Sequence, residues 1–153
     1  MKFLFSLILL LLLSTAAPAQ TALDEQIALT RQSAHADRKI ILLGNINLTA
    51  DESGLFWPAW DKYRSEAAAN GDRMLALIQD YAANYEQMTD QKASELLADY
   101  FSIEMQRLVI KQKFSQDINL FMPEVKVMRI IQVENKLDAA IDLQLASQIP
   151  LVK

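Results

Sequence analysis

The feature that most constrains this chain is a large apolar side chain recurring at helical spacing through most of its length. Phe56, Trp60, Tyr63, Ala67, Met74, Leu77 or Ile78, Tyr81 and Tyr85 follow steps of three, four or seven. Leu97, Tyr100, Ile103, Ile110, Phe114, Ile118 and Phe121 repeat the pattern, and so do Met128, Ile131, Leu137, Ile141 and Leu145. Such steps place side chains on one face of an α-helix, and a one-faced helix must cover that face with its neighbours. Strand-type alternation is scarce, and only three glycines occur in 153 residues. RKIILLGNINL would pass as a strand, but a single strand has no partner, so helix is preferred. The expected fold is all-α.

Helix starts are written into two short, similar strings. LTADE begins at Leu48 and MTDQK at Met88. Thr49 is an expected N-cap, with Glu52 placed to complete a capping box and Asp51 adding negative charge at the positive end of the helix dipole. Thr89 is the second expected cap. Pro123 suits a first helical position, where its missing N–H costs nothing. These signals predict helices from about 24 to 45, from 50 to about 87, from 90 to about 121 and from 123 to about 148. Short connections make neighbours antiparallel, and the two long helices would each span about 50 Å. The expected form is therefore an elongated, curved bundle of three to four antiparallel helices. Asn70-Gly71-Asp72 permits a bend in the second helix without demanding one.

The first residues, MKFLFSLILLLLLSTAAPAQ, read as a signal peptide. A lysine precedes an apolar run from Phe3 to Leu13, and Ala17-Pro18-Ala19 supplies the small-x-small cleavage pattern. Cleavage is expected before Gln20, with residues 20–153 forming a single all-helical domain. The apolar run is short beside the roughly 20 residues that a bilayer span needs, so no stable membrane span is expected after cleavage. The chain has no cysteine, which leaves stability to the apolar core.

Net charge is −4, which argues against general nucleic-acid binding. Between Arg107 and Arg129, however, five basic residues face only two acidic ones. This excess reads either as a solvated helix face or as a patch for an acidic partner. In the segment FWPAW, Pro58 lacks an N–H, and its ring meets the carbonyl of Gly54, the least obstructive residue for a tolerated kink. The kink makes either a corner of the core or a surface on which Trp57, one step off the main stripe, stays exposed to bind partners. Candidate partner-binding residues are therefore Trp57, Arg107, Lys111, Lys113 and Arg129.

Signs of catalysis are thin. His35 is the only histidine, and Ser33-Ala34-His35-Ala36-Asp37 has triad residue types at a spacing that turns them apart on a helix. A zinc site needs several ligands of a kind this chain lacks. Phosphate-binding glycine loops and nucleophile elbows are absent. No enzyme activity, cofactor or metal is expected. Gln132 to Lys136 forms a polar cluster that is either partly solvated or fixes register by buried hydrogen bonds.

At LTADE and MTDQK the chain resembles the LTxxQ-signature periplasmic helical proteins of the Spy/CpxP type. Leu48, Thr49 and Thr89 match the caps, with Met88 where the signature has Leu and with Glu52 and Lys92 where it has Gln. The resemblance implies a thin, curved, all-helical dimer in the periplasm that handles unfolded or envelope proteins without ATP. The function it implies is that of a chaperone-like holdase. The alternative is an envelope-stress adaptor or sensor subunit docking one specific partner.

Overall fold

The computed structural model describes residues 37–147 and 149–152. The expected signal peptide, the first part of the first expected helix, and Ser33 to Ala36 with His35 lie outside the described residues. The chain divides into two units, Met1–Ile40 and Ile41–Lys153. Residues 37–40 of the first are helical. In the second unit, α1 is the helical stretch 41–45, α2 is Ala50–Asn84, α3 is Asp90–Asn119 and α4 is Glu124–Ala146. A 3-10 turn, Tyr85–Gln87, follows α2. The described residues contain no strand. The fold is all-α, and the stretch that also reads as a strand is helical as far as Asn45. No described helix is long and apolar enough to cross a membrane.

Each long helix begins where its cap lies. The backbone N–H of Glu52 donates to Thr49 Oγ1 at 3.2 Å, and the N–H of Thr49 donates to Glu52 Oε2 at 2.8 Å. This reciprocal box satisfies two of the donors that a helix start leaves open. Leu48 packs against the core beside it. At α3 the N–H of Lys92 donates to Thr89 Oγ1 at 3.2 Å, while the Lys92 ammonium reaches back to Asp80 Oδ2 at 2.6 Å. Met88, extended at φ −62 and ψ 125, separates the 3-10 turn from that cap. Pro123 is the N-cap of α4 and not its first helical residue: at ψ 142 it is extended, and its carbonyl accepts from the N–H groups of Lys126 and Val127.

α2 runs unbroken through Pro58 and through Asn70-Gly71-Asp72. Pro58 lies on the exposed side, and a Cβ on Gly54 would meet nothing within 4 Å. The helix also survives at Asn70 because that residue is anchored. Asn70 is buried, and its Nδ2 donates to the Ile103 carbonyl on α3 at 3.0 Å. Across α2 and α3, Tyr63 stacks on Phe114 with ring centroids 4.4 Å apart. Glu66 meets Lys113, and Arg73 meets Ser102. α4 joins α2 through Glu52 with Lys126 and through Trp60 with Glu134.

The core gathers Leu42, Ile46, Phe56, Trp60, Tyr63, Ile110, Phe114, Ile118, Met122, Val127 and Ile130. The expected stripe of α4 is displaced, and that of α3 holds from Ile103 to Ile118 but departs at its start. On α4 the buried positions are Val127, Ile130 and Glu134, whereas Met128, Ile141 and Leu145 are exposed. The polar cluster explains the rotation. Glu134 is 0 % exposed. Its Oε1 accepts from Trp60 Nε1 at 2.9 Å, its Oε2 accepts from the Tyr63 hydroxyl at 3.5 Å, and Arg64 lies 3.7 Å from Oε2. A buried carboxylate is tolerable only with such partners, so α4 turns to present it. On α3 the inward line is Leu96, Ile103, Ile110, Phe114 and Ile118, while Leu97 and Tyr100 point outward.

Replacing Glu134 with Gln keeps the volume but places an amide where two donors converge. Urea denaturation should show a loss of about 1.5–3 kcal/mol, the range for a hydrogen bond to a charged group. An unchanged midpoint with an unchanged slope would mean that this carboxylate does not anchor α4.

The Lys126 ammonium also reaches both Glu52 oxygens at 2.7 Å. That hydrogen bond, followed by the one from the Thr49 N–H, holds the Glu52 carboxyl below its ordinary value. A depressed folded pKa stabilises the fold above the unfolded value of about 4.3, and the contribution disappears as pH falls through the folded value. Glu52→Gln should therefore be less stable than the parent at neutral pH, with the gap closing below roughly pH 4. Parallel urea titrations across that window test the sign.

Candidate functional site

The five residues marked by sequence for partner binding are scattered, and each is engaged within the fold. Trp57 is half-buried at the corner of the core. Its Nε1 donates to Ser53 Oγ at 3.1 Å, and its ring stands edge-on to Phe56 and Trp60, with centroids 4.9 and 5.6 Å away. Arg107 grips Asp142 with both terminal nitrogens, at 3.2 and 2.9 Å, and lies 3.5 Å from Asp138 and 3.8 Å from Glu104. Burial works against the charged guanidinium, but the hydrogen bond to Asp142 and the charges of Asp138, Asp142 and Glu104 outweigh it and raise its pKa. Lys111 sits beside it, donating to Asn135 Oδ1 at 2.7 Å and Asp138 Oδ2 at 2.8 Å.

The structure thus brings Arg107 and Lys111 together around Asp138, as a polar clasp between α3 and α4. Lys113 pairs with Glu66 across α2 and α3 at 3.2 Å. Arg129 donates through Nε to the Asn45 carbonyl at the end of α1, where a cation also suits the helix dipole. The basic excess between Arg107 and Arg129 is largely consumed by these pairs and does not form one patch. Exposed pairs of this kind add little stability each, but they set which helix faces meet.

The surface that stands out shares only Leu97 and the flanking Tyr100 with the expected stripes. On the outer side of α3, Leu97, Phe101, Met105, Leu108 and Val109 are each between 53 % and 68 % exposed. Tyr100 flanks them, its ring 5.5 Å from that of Phe101. α2 approaches α3 at Ser102, Ile103, Lys113 and Phe114, and α4 approaches it at Arg107 and Lys111. The outer line faces away from both sets. It follows Ser94, Leu97, Phe101, Met105, Leu108, Gln112, Gln116 and Asn119 in steps of three, four and four, and no position carries a charge.

α3 is thus apolar on two sides, not one. The signal was present in the sequence as that repeat, but the two lines interleave and read as one. The inner line was legible from Ile103 onward, but its start was placed at Leu97 and Tyr100, where the structure buries Leu96 instead. The apolar part of the outer line, Leu97 to Val109, is about 18 Å long. Single exposed apolar residues are ordinary, whereas a contiguous uncharged run marks an interaction surface.

Two other places are less open to a partner. Ile78, Tyr81, Ala82, Tyr85, Ile149 and Pro150 line a shallow apolar recess, closed on one side by the Tyr81 hydroxyl donating to the Pro150 carbonyl at 2.7 Å. Its polar groups are the two tyrosine hydroxyls, and burial, followed by the neighbouring Tyr85, pushes that of Tyr81 up. Glu134 is strongly placed but sealed under Trp60 and Tyr63. No group of three or more His, Cys, Asp or Glu among the described residues is arranged to hold a metal ion. Compared with known proteins, the chain matches no family model, no curated protein and no solved structure.

Proposed function

We propose that this protein is a non-catalytic, ATP-independent holdase of the bacterial periplasm, which binds unfolded or envelope protein segments on the outer face of α3. The observation that carries the reading is the uncharged apolar line from Leu97 to Val109 on a rigid, capped helix. A line of this kind offers dispersion and desolvation but no directional partner. It therefore discriminates poorly between apolar segments, which is what a general holdase requires. Met105 at its centre adapts to differently shaped side chains. Shallow contacts over a short length make each encounter weak, so release needs no nucleotide. The LTADE and MTDQK caps and the N-terminal leader pattern support the periplasmic placement. In this reading Arg107, Lys111 and Lys113 tie α3 to its neighbours, Trp57 and Arg129 serve packing elsewhere in the fold, and none of the five is a contact residue.

The purified protein should slow aggregation of several unrelated unfolding clients without ATP. Phe101→Glu, which places a charge in the middle of the line, should weaken that protection by about tenfold or more while leaving helical circular dichroism unchanged, since a buried unpaired charge opposes binding. Equal protection by the parent and by Phe101→Glu would remove the α3 face from the proposal. Photocrosslinking in cells from position 101 separates the alternative: many different products mark a holdase, and one stoichiometric product marks an adaptor docked to a single partner.

A further inference from the structure

Resting on the client-binding reading above, we infer that Met105 is an oxidant-sensitive modification site, whose conversion to the sulfoxide by a peroxide closes the outer line of α3 to apolar clients. Met105 is 64 % exposed and stands at the middle of that line. Phe101 lies one turn before it, and Leu108 and Val109 lie one turn after. No charge crosses the line there. The nearest charged neighbours in sequence, Glu104 and Arg107, approach one another at 3.8 Å, and Arg107 is turned to Asp138 and Asp142 on α4. The Met105 side chain is thus both open to a small oxidant and central to the apolar surface.

The rest of the chain offers the oxidant few competing targets. It has no cysteine, so no thiol reacts first. Trp60 is fully buried and Trp57 is half-buried. Among the described methionines, Met122 lies in the core at 5 % exposure, and Met74 and Met88 are half-buried. Met128 is exposed to the same degree as Met105, at 62 %. It sits on α4, next to Arg129 and one turn from Glu124, outside the uncharged line of α3. Two thioethers are therefore equally open, and one of them lies on the proposed binding face. Met128 carries the same chemistry on a different surface and serves as the internal control.

With hydrogen peroxide, a lone pair of the sulfur attacks one oxygen. The O–O bond breaks as the S–O bond forms, and the departing hydroxide takes the proton from the new S–OH group and leaves as water. Sulfur is oxidised by two electrons, and the peroxide is reduced by two. The product is a polar side chain with a hydrogen-bond-accepting oxygen where an apolar one stood. A client segment that covers it must strip its water, and Leu97, Phe101, Leu108 and Val109 supply no donor in exchange. Binding should weaken about tenfold, as for a polar group buried without a partner. A thiol-dependent methionine sulfoxide reductase reverses the step: two thiols become a disulfide, the oxygen leaves as water, and the thioether returns. The line is closed while oxidant is present and reopens on repair.

The test treats the purified protein with hydrogen peroxide, removes the oxidant, and measures binding to reduced, carboxymethylated α-lactalbumin as a permanently unfolded probe. Each variant is compared with its own untreated sample. Treated parent and treated Met128→Leu should bind the probe about tenfold more weakly, with unchanged helical circular dichroism. Treated Met105→Leu, which has no thioether on the line, should shift by less than about twofold. Met105→Gln, with a polar group at the same place, should weaken binding with no oxidant at all. The two reductases, one for each sulfoxide epimer, should restore the treated parent when supplied with dithiothreitol. Peptide mass spectrometry should show Met105 and Met128 converting at least about tenfold faster than Met122. A treated parent that binds as tightly as before overturns this inference. So does a Met105→Leu protein that loses as much as the parent, a Met105→Gln protein that binds like the untreated parent, or a Met105 that converts no faster than Met122. If the untreated parent binds the probe through Phe101 and oxidation changes nothing, the client reading stands without the switch. If the untreated parent binds no probe, the client reading falls and the switch falls with it.

Discussion

The arrangement of the helices depends on one buried carboxylate. Glu134 has no exposure, and its oxygens are met by the Trp60 indole, the Tyr63 hydroxyl and, at longer range, Arg64. All three partners lie on one face of α2, at positions i, i+3 and i+4. An unmet carboxylate in that place would cost several kcal/mol, so the rotation of α4 about its own axis is not free. Once Glu134 points at α2, Val127 and Ile130 enter the core with it, and Met128 is carried outside.

α3 then closes the body from the other side. Phe114 stacks on Tyr63, next to the residues that hold Glu134, and Ile110 and Ile118 fill the space one turn to either side. Farther from this centre the packing becomes sparser and more polar. Asn70 reaches the Ile103 carbonyl, Arg73 reaches Ser102, and Arg107 and Lys111 clasp Asp138 and Asp142. These contacts hold α3 in place along its length while leaving its outer side uncovered. A rigid helix with an unused apolar line is the physical basis for the binding role proposed above.

Much of the local design was readable from residue types and spacing. The all-α class followed from the three-and-four periodicity, and both threonine caps accept the backbone N–H that their positions call for. The tail of α2 was legible only approximately, because its last turn tightens to a 3-10 turn over Tyr85–Gln87. The faces were harder. Leu96 and Leu97 are adjacent leucines, and either one starts a plausible helical line. Periodicity counts apolar residues, but it has no means of knowing which of two lines a neighbour will cover. The basic segment was hard to read for a related reason: Arg107, Lys111 and Lys113 have acidic partners 27 to 47 residues away in sequence, which local spacing does not reveal.

The sequence by itself determined that the chain is helical and where two of its long helices begin, because capping and periodicity are interactions within a few residues of one strand of backbone. It also determined that no disulfide contributes, since there is no cysteine to form one. Only the tertiary structure decided which side of α3 is buried, that Glu134 sits in the core, and that the basic residues are tied to carboxylates on other helices. Those outcomes depend on rotations of whole helices about their axes, and such a rotation is settled by partners that lie far along the chain and close in space.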